Sequence, residues 1–470
     1  MAESKSLSHS YNVQHELRIL TILYGGSFIF RIAFGSAALL LIMILTNLQL
    51  ELETLVTMVI MFSIAFSLVE GLVAGATGYL TDVMDARIVL VMSTGLGASV
   101  MLLYSLGLLL ARDIIIFVAY LTIIHALHGI ASSLKVTPTV AIIARFSSYE
   151  LRARRMGIYD MILLLGRITG LALAGFFFGL FVKNNAKPYH ALKAFPILAV
   201  LMVITGMIFW IFIPRISPEK KERTESLITN LIKHIGEGAR IMFSKARRDL
   251  GVTWLMMSCL WGLAFTLGPF VLMLDLGIKA ETTGYLTAFL TFVIAVPAPF
   301  WGYVADKIGR RKTALIGISG LIIVFIMGVT SYFLLGIHTN NPLFFVIISP
   351  GIFFISAIAP SFLGRLGDTA LPGERGLTMS GYQFTTSVGE VLGVATGGIA
   401  YIVAKLLLAE TPFAQYGGAL GVVIMGLFYF LATILASTKL KSDEEILKWY
   451  EEEVKKRAEI LNTSSSAINL

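Results

Sequence analysis

The chain has 470 residues, of which 56% are hydrophobic and only 14% charged, with a net charge of +8 at neutral pH. A water-soluble domain carries about 25% charged residues, and a single soluble core stops growing near roughly 250–300 residues, so lipid must solvate most of this chain. The lone cysteine, Cys259, excludes an internal disulfide, an iron–sulfur cluster and a multi-cysteine zinc site, and the sequence lacks the phosphate loop of ATPases and the H-E-x-x-H and G-x-S-x-G motifs of hydrolases, so neither an enzyme nor an ATP-driven pump is expected.

Residues 1–16 are polar, carry no cleavable leader pattern and read as an N-terminal tail. A helix needs about 20 mainly apolar residues to cross roughly 30 Å of hydrocarbon. Twelve stretches qualify, at 17–46, 55–79, 88–110, 114–144, 156–182, 191–213, 250–276, 283–304, 313–336, 343–364, 376–406 and 415–437. The predicted fold is therefore an all-α polytopic membrane protein. One six-helix bundle spans 17–213 and a second spans 251–438, joined by a basic linker over 214–250. Pro214 and Pro218 end the sixth helix, and Ser226 to Lys245 reads as a short cytosolic amphipathic helix with Leu227, Leu231 and Ile235 on one side. Over 439–470 a cytosolic helix is expected, opened by a capping box of Ser442 and Glu445.

Loop charges set the orientation, because Lys and Arg are retained on the cytoplasmic side. Loops after even-numbered spans hold eleven of them, against six after odd-numbered spans, where Lys183 is one, and the linker adds nine more on the even side. Both termini are thus expected in the cytoplasm, with the protein in the cell membrane. The basic balance reflects this orientation, and no nucleic-acid partner is needed to explain it.

Ionisable residues inside spans cost about 2.5–3.5 kcal/mol on insertion scales, so each calls for a reason. They are Arg31, Glu70, His125, His128, Lys135, Asp160, Arg167 and Glu390. At 100° per residue, His125, Ser132, His128 and Lys135 share one side of the fourth helix, a wet, positively inclined stripe. Arg31 lies about 20 Å along the first span, at mid-membrane, and its guanidinium suits a carboxylate or phosphate. It is either a substrate ligand or the partner of Glu70. Glu70 either carries a coupling proton or is a fixed counter-ion. His125 is a proton relay or a hydrogen-bonded packing residue. With His128 it provides only two ligands, short of a metal site, and no cofactor is expected. Lys135 is a second anion contact or a carboxylate's partner. Arg167 and Glu390 serve substrate contact, proton coupling or the interface between halves. Asp160 reads as structural, near the cytoplasmic edge. Trp261 and the pair Phe353 and Phe354 are candidates for an apolar wall.

Gly78, Asp82 and Arg87 recur 224 residues later as Gly302, Asp306 and Arg311, and Glu150/Glu374 and Gly157/Gly381 share that offset. Two structurally equivalent halves follow. At these residues the chain resembles the major facilitator superfamily over all twelve spans. That family's loop motif, G-x-x-x-D-[RK]-x-G-R-[RK], is intact as Gly302, Asp306, Lys307, Gly309, Arg310 and Arg311. In the first copy Val83 and Asp85 replace its basic residue and glycine. His125 and His128 stand where the family's fourth-span R-x-x-Q-G has arginine and glutamine. Gly157, Gly166, Gly170 and Gly175 keep the spacing of the antiporter pattern.

The resemblance implies a gating latch built from these loop residues, a cavity lined by spans 1, 4, 7 and 10, and rocking between two access states. The resulting expectation is a monomeric secondary transporter, proton-coupled, for a small organic anion or zwitterion. Its alternatives are a multidrug/proton antiporter and a non-transporting receptor or scaffold on the same fold.

Overall fold

In hydrocarbon every backbone N–H and C=O must be satisfied within its own segment, so each apolar stretch becomes a helix. The computed structural model describes residues 2–48, 52–182, 187–218, 226–337 and 341–468, and no strand occurs among them. Lys183, and Lys220, Lys221 and Arg223 of the linker, which enter the loop-charge count, lie outside the described residues. Twelve membrane-length helices, spans 1 to 12, run Glu16–Thr46, Thr54–Val83, Ala86–Leu109, Ile114–Arg145, Tyr149–Phe181, Pro188–Phe212, Arg248–Leu274, Thr282–Ile308, Arg310–Leu334, Pro342–Asp368, Arg375–Leu407 and Gly417–Ser437. The chain is a multi-pass membrane protein.

Two bounds differ from the sequence expectation. Span 5 begins at Tyr149 instead of 156, because the charged stretch Arg152–Arg155 is drawn into the helix by contacts described below. The first helix starts at Ala2, so the polar segment 1–16 continues span 1 instead of forming a separate tail.

Contacts between the two sets of six run mainly through span 2 against span 11 and span 5 against span 8. At the basic end of the bundle, where the loops after even-numbered spans lie, both contacts are very close. A Cβ on Gly78 would lie 2.6 Å from the Gly376 carbonyl, and one on Gly302 2.4 Å from that of Ala153, so only glycine admits these backbones.

The two loop acids use that proximity to cap the opposite half. Asp82 accepts from the Gly376 and Leu377 amides at 2.7 and 2.9 Å. Asp306 accepts from those of Ala153 and Arg154 at 3.1 and 2.9 Å. Each carboxylate thus neutralises the positive end of a helix dipole and satisfies two orphan donors.

Around Asp306 the latch is also ionic. Arg310 pairs with Asp306 at 2.6 Å and Asp368 at 3.3 Å, donates to the Tyr149 carbonyl at 2.5 Å, and is 1% exposed at its side chain. Arg152 of the opposite half meets the same Asp368 at 2.5 Å.

The first motif copy is built differently, and the reason is local. Gly309 has φ +104°, which demands glycine, whereas its counterpart Asp85 has φ −60° and caps span 3. Its carboxylate takes the Arg87 amide at 3.0 Å and, from beyond span 6, the Ile216 amide at 3.0 Å. In the second half the amide of Arg311, the counterpart of Arg87, is taken by Asp443 from the C-terminal helix Asp443–Ile468. That helix opens with a reciprocal capping box: Ser442 Oγ accepts from the Glu445 amide at 3.2 Å, and the Glu445 carboxylate from the Ser442 amide at 2.8 Å.

Candidate functional site

Span 1 carries Arg31 at mid-length, and Gly166 of span 5 lets the two helices close around it: a Cβ there would lie 2.9 Å from the Arg31 Cβ. Arg31 is half-buried and makes no ion pair within 4 Å among the described residues. Its Nε is buried without a hydrogen-bond partner. Three carboxyl groups, Glu70 (span 2), Asp160 (span 5) and Glu390 (span 11), lie within electrostatic reach of it. Two cations, Lys135 (span 4) and Arg167 (span 5), do so as well. The contact of Arg31 with Glu70 is thus long-range and not the direct salt bridge weighed from sequence.

The acids on spans 2 and 11 are held by hydroxyls in a reciprocal pattern. Ser387 of span 11 donates to Glu70 at 2.8 Å, and Ser67 of span 2 to Glu390 at 3.4 Å. Each helix thus presents a serine and, three residues on, a glutamate. Because the helices run antiparallel, each glutamate meets the other's serine, joining the halves at mid-membrane. Lys135 is 1% exposed; its ammonium donates to Tyr159 Oη at 3.2 Å and lies 5.6 Å over the Phe30 ring. Arg31, Asp160, Arg167 and Glu390 each keep some exposed surface although they sit deep between the halves. Groups packed solid would show none, so these four border an internal space.

On its second-half side this space has an aromatic lining. Span 7 widens into a π-helical turn over Leu263–Leu267, the kind of break in register that recurs at functional sites. The turn places Phe265 in a stack on Trp261, with centroids 4.9 Å apart, and beneath Arg167, whose Cζ is 5.2 Å from the ring. Gly262 in the same helix packs on the backbone of Glu390. Phe353 and Phe354 are elsewhere: they pack on Trp301 of span 8, whose Nε1 donates to the Phe353 carbonyl at 2.9 Å.

His128 also lies within electrostatic reach of Arg31, but both histidines take their direct partners on the far side of span 4. Both imidazoles share one buried hydroxyl, Tyr104 Oη, at 2.6 and 3.3 Å from their Nδ1 atoms. Phe34, Phe62 and Phe66 enclose them, with Phe34 3.9 Å from the His128 ring. The shared stripe on span 4 is real, but at its His125 end it faces span 3 and at its Lys135 end span 5. Of the residues named from sequence, Arg31, Glu70, Lys135, Arg167 and Glu390 come together. Asp160, read there as an edge residue, joins them. Phe265 was missed, since nothing in an apolar sequence announces a π turn. The Asp82 and Asp306 groups lie apart, at the basic end. No group of three or more metal-ligating side chains occurs among the described residues.

The model of the Major Facilitator Superfamily matches residues 23–274 and 250–465. No curated protein matches the chain. Solved structures share the fold at low identity. The human organic anion transporter MFSD10 (TETRAN) is 17% identical, with a TM-score of 0.65 over 89% of this chain and 99% of its own. The proton:xylose symporter XylE is 15% identical, with a TM-score of 0.68 over 94% and 100%. A bacterial homologue of the iron transporter ferroportin is 12% identical, with a TM-score of 0.62 over 90% and 100%. Twelve spans, the repeated loop motif capping helices across the halves, and a family match from end to end lead to one conclusion: the chain belongs to the major facilitator superfamily of membrane transporters.

Proposed function

We propose that the protein is a proton-coupled secondary transporter that moves a small organic anion or zwitterion by alternating access, with Arg31 as the anion ligand. One observation carries this reading: a mid-membrane guanidinium with a buried, unpartnered Nε and no ion pair of its own. Leaving such a charge unpaired is costly, so a bound carboxylate is its natural complement. With Arg31 itself counted, three bases offset three acids in this group. Protonating one acid leaves the chamber net positive, so proton and anion each favour the other's binding, which by linkage is cotransport.

Glu70 and Glu390 are the proton-carrying candidates, Arg167 and Lys135 the supporting cations, and Trp261 with Phe265 the wall for the solute's apolar part. His125 and His128 brace the first half. The basic end faces the cytoplasm by the loop-charge rule. With Asp82 and Asp306 engaged there, the described state is closed on that side. The aromatic wall also suits a lipophilic cation, which gives a second reading as a multidrug/proton antiporter.

A thermal-shift series with small organic anions at two pH values tests the main reading. A matching solute at about 100 times its Kd stabilises by about 2.7 kcal/mol, more so at the lower pH, and Arg31→Ala removes the effect. Equal stabilisation of that variant would remove Arg31 from the site. Stabilisation by cationic dyes, lost in Glu70→Gln, would favour the second reading.

A further inference from the structure

The linker between the halves is not a free cytosolic strand. Its helices Leu227–Lys233 and Glu237–Met242 lie against spans 2 and 11. The Gly236 amide reaches the Leu72 carbonyl of span 2 at 3.0 Å, and His234 stacks on Tyr79 with centroids 4.3 Å apart. A Cβ on Gly238 would lie 2.8 Å from the Phe384 Cβ of span 11. The linker therefore crosses the seam between the two halves.

Depth follows from helix arithmetic. Leu72 precedes the end of span 2 at Val83 by eleven residues, or about 16 Å. Span 2, with 30 residues, covers roughly 45 Å against a hydrocarbon core of roughly 30 Å. With the excess shared between its ends, the Leu72–Gly236 bond sits about 9 Å inside the hydrocarbon.

The first linker helix has one broad apolar arc, of which only part meets the protein. Leu227 and Leu231 pack on Leu80, Val89 and Leu134. Beside them on the same helix Ile228 and Ile232 turn outward, 70% and 63% exposed, with Ile235 just beyond its end 50% exposed, while Thr229 and Lys233 occupy the far, polar side. The apolar arc of this amphipathic helix is thus wider than its contact with the protein, and no part of the chain covers its isoleucines among the described residues. The apolar strip continues onto Leu68 and Leu72 of span 2, each 38% exposed on the lipid-facing surface.

We infer that the linker helix Leu227–Lys233 is set into the membrane leaflet at the basic end, where Ile228 and Ile232, with Ile235 just beyond the helix, contact acyl chains, its leucines hold it to span 2, and Thr229 and Lys233 face the headgroups. This strap lies over the seam of the Asp82 cap: where the second motif copy has Arg310, the first has Ala86, and lipid-backed packing of the linker adds to the closure there.

The test is nitroxide accessibility in proteoliposomes, using the full chain in a Cys259→Ser background. Labels at Ile228→Cys and Ile232→Cys should be several-fold more accessible to oxygen than to a water-soluble nickel chelate. A label at Arg240→Cys, whose parent side chain is 83% exposed on the next linker helix, should show the reverse. Preference for the chelate at 228 and 232 would put the helix in water and overturn the inference. Low accessibility to both reagents would mean that protein covers it, and would equally overturn it. All three positions are at the surface, so folding of the labelled variants is not at risk.

Discussion

At the residue scale, a polar group in hydrocarbon must be partnered by the chain or by a ligand, and the buried groups here divide on that criterion. Glu70 and Glu390 have serines, Lys135 has Tyr159, and the histidines have Tyr104. Arg31 alone of the centrally placed cations has neither an ion pair nor an aromatic face against it. Tyr104→Phe should therefore destabilise the fold by about 1–3 kcal/mol, the cost of leaving buried imidazole nitrogens without their partner, while solute uptake per folded molecule is kept. Chemical denaturation and vesicle uptake measure the two. Lost uptake in a variant of normal stability would return the histidines to the solute path.

The sequence made every one of these charges visible as an anomaly, but not its partner. Helical angle put His125 and Lys135 on one stripe. It cannot say that the stripe turns from span 3 to span 5 along its length, because that depends on how neighbouring helices cross. Asp160 was read as an edge residue for a related reason, and its reach to Arg31 depends on how spans 1 and 5 cross.

At the element scale, the close approach of spans 5 and 8 rests on Gly302, and the cap across it on Asp306. Gly302→Val forces those backbones apart and should open the basic end. Spin labels on the outer surfaces of spans 5 and 8 there should report a longer distance. Stability should fall by about 1–3 kcal/mol, as for other overpacked contacts. An unchanged distance would mean that the latch does not hold this end closed. The elements themselves were legible because membrane length and apolar composition determine them. The motif's first copy departs at Val83 and Asp85, and at the second of these the backbone does not adopt positive φ, so Asp85 caps a helix instead. The linker helix was half legible: Leu227 and Leu231 face the protein as a periodic pattern suggests, but the helix ends at Lys233 and Ile235 lies exposed beyond it.

At the scale of the whole molecule, the 224-residue offset foretold two matched halves. The caps bear it out: Asp82 and Asp306, one offset apart, each seize the first turn of the inter-half helix opposite. Symmetry is then broken where the halves differ chemically, with a buried arginine cluster closing one seam and the linker covering the other. Both seams close the same basic end, with the central group of charges beyond them, and it is on this arrangement that the proposed transport reading rests. Its most direct test is solute accumulation in proteoliposomes under an imposed pH gradient, with the anion that gives the largest thermal shift. The account predicts gradient-dependent accumulation in the wild type and its collapse in folded Arg31→Ala. Undiminished accumulation in that variant, or accumulation indifferent to the gradient, would contradict it.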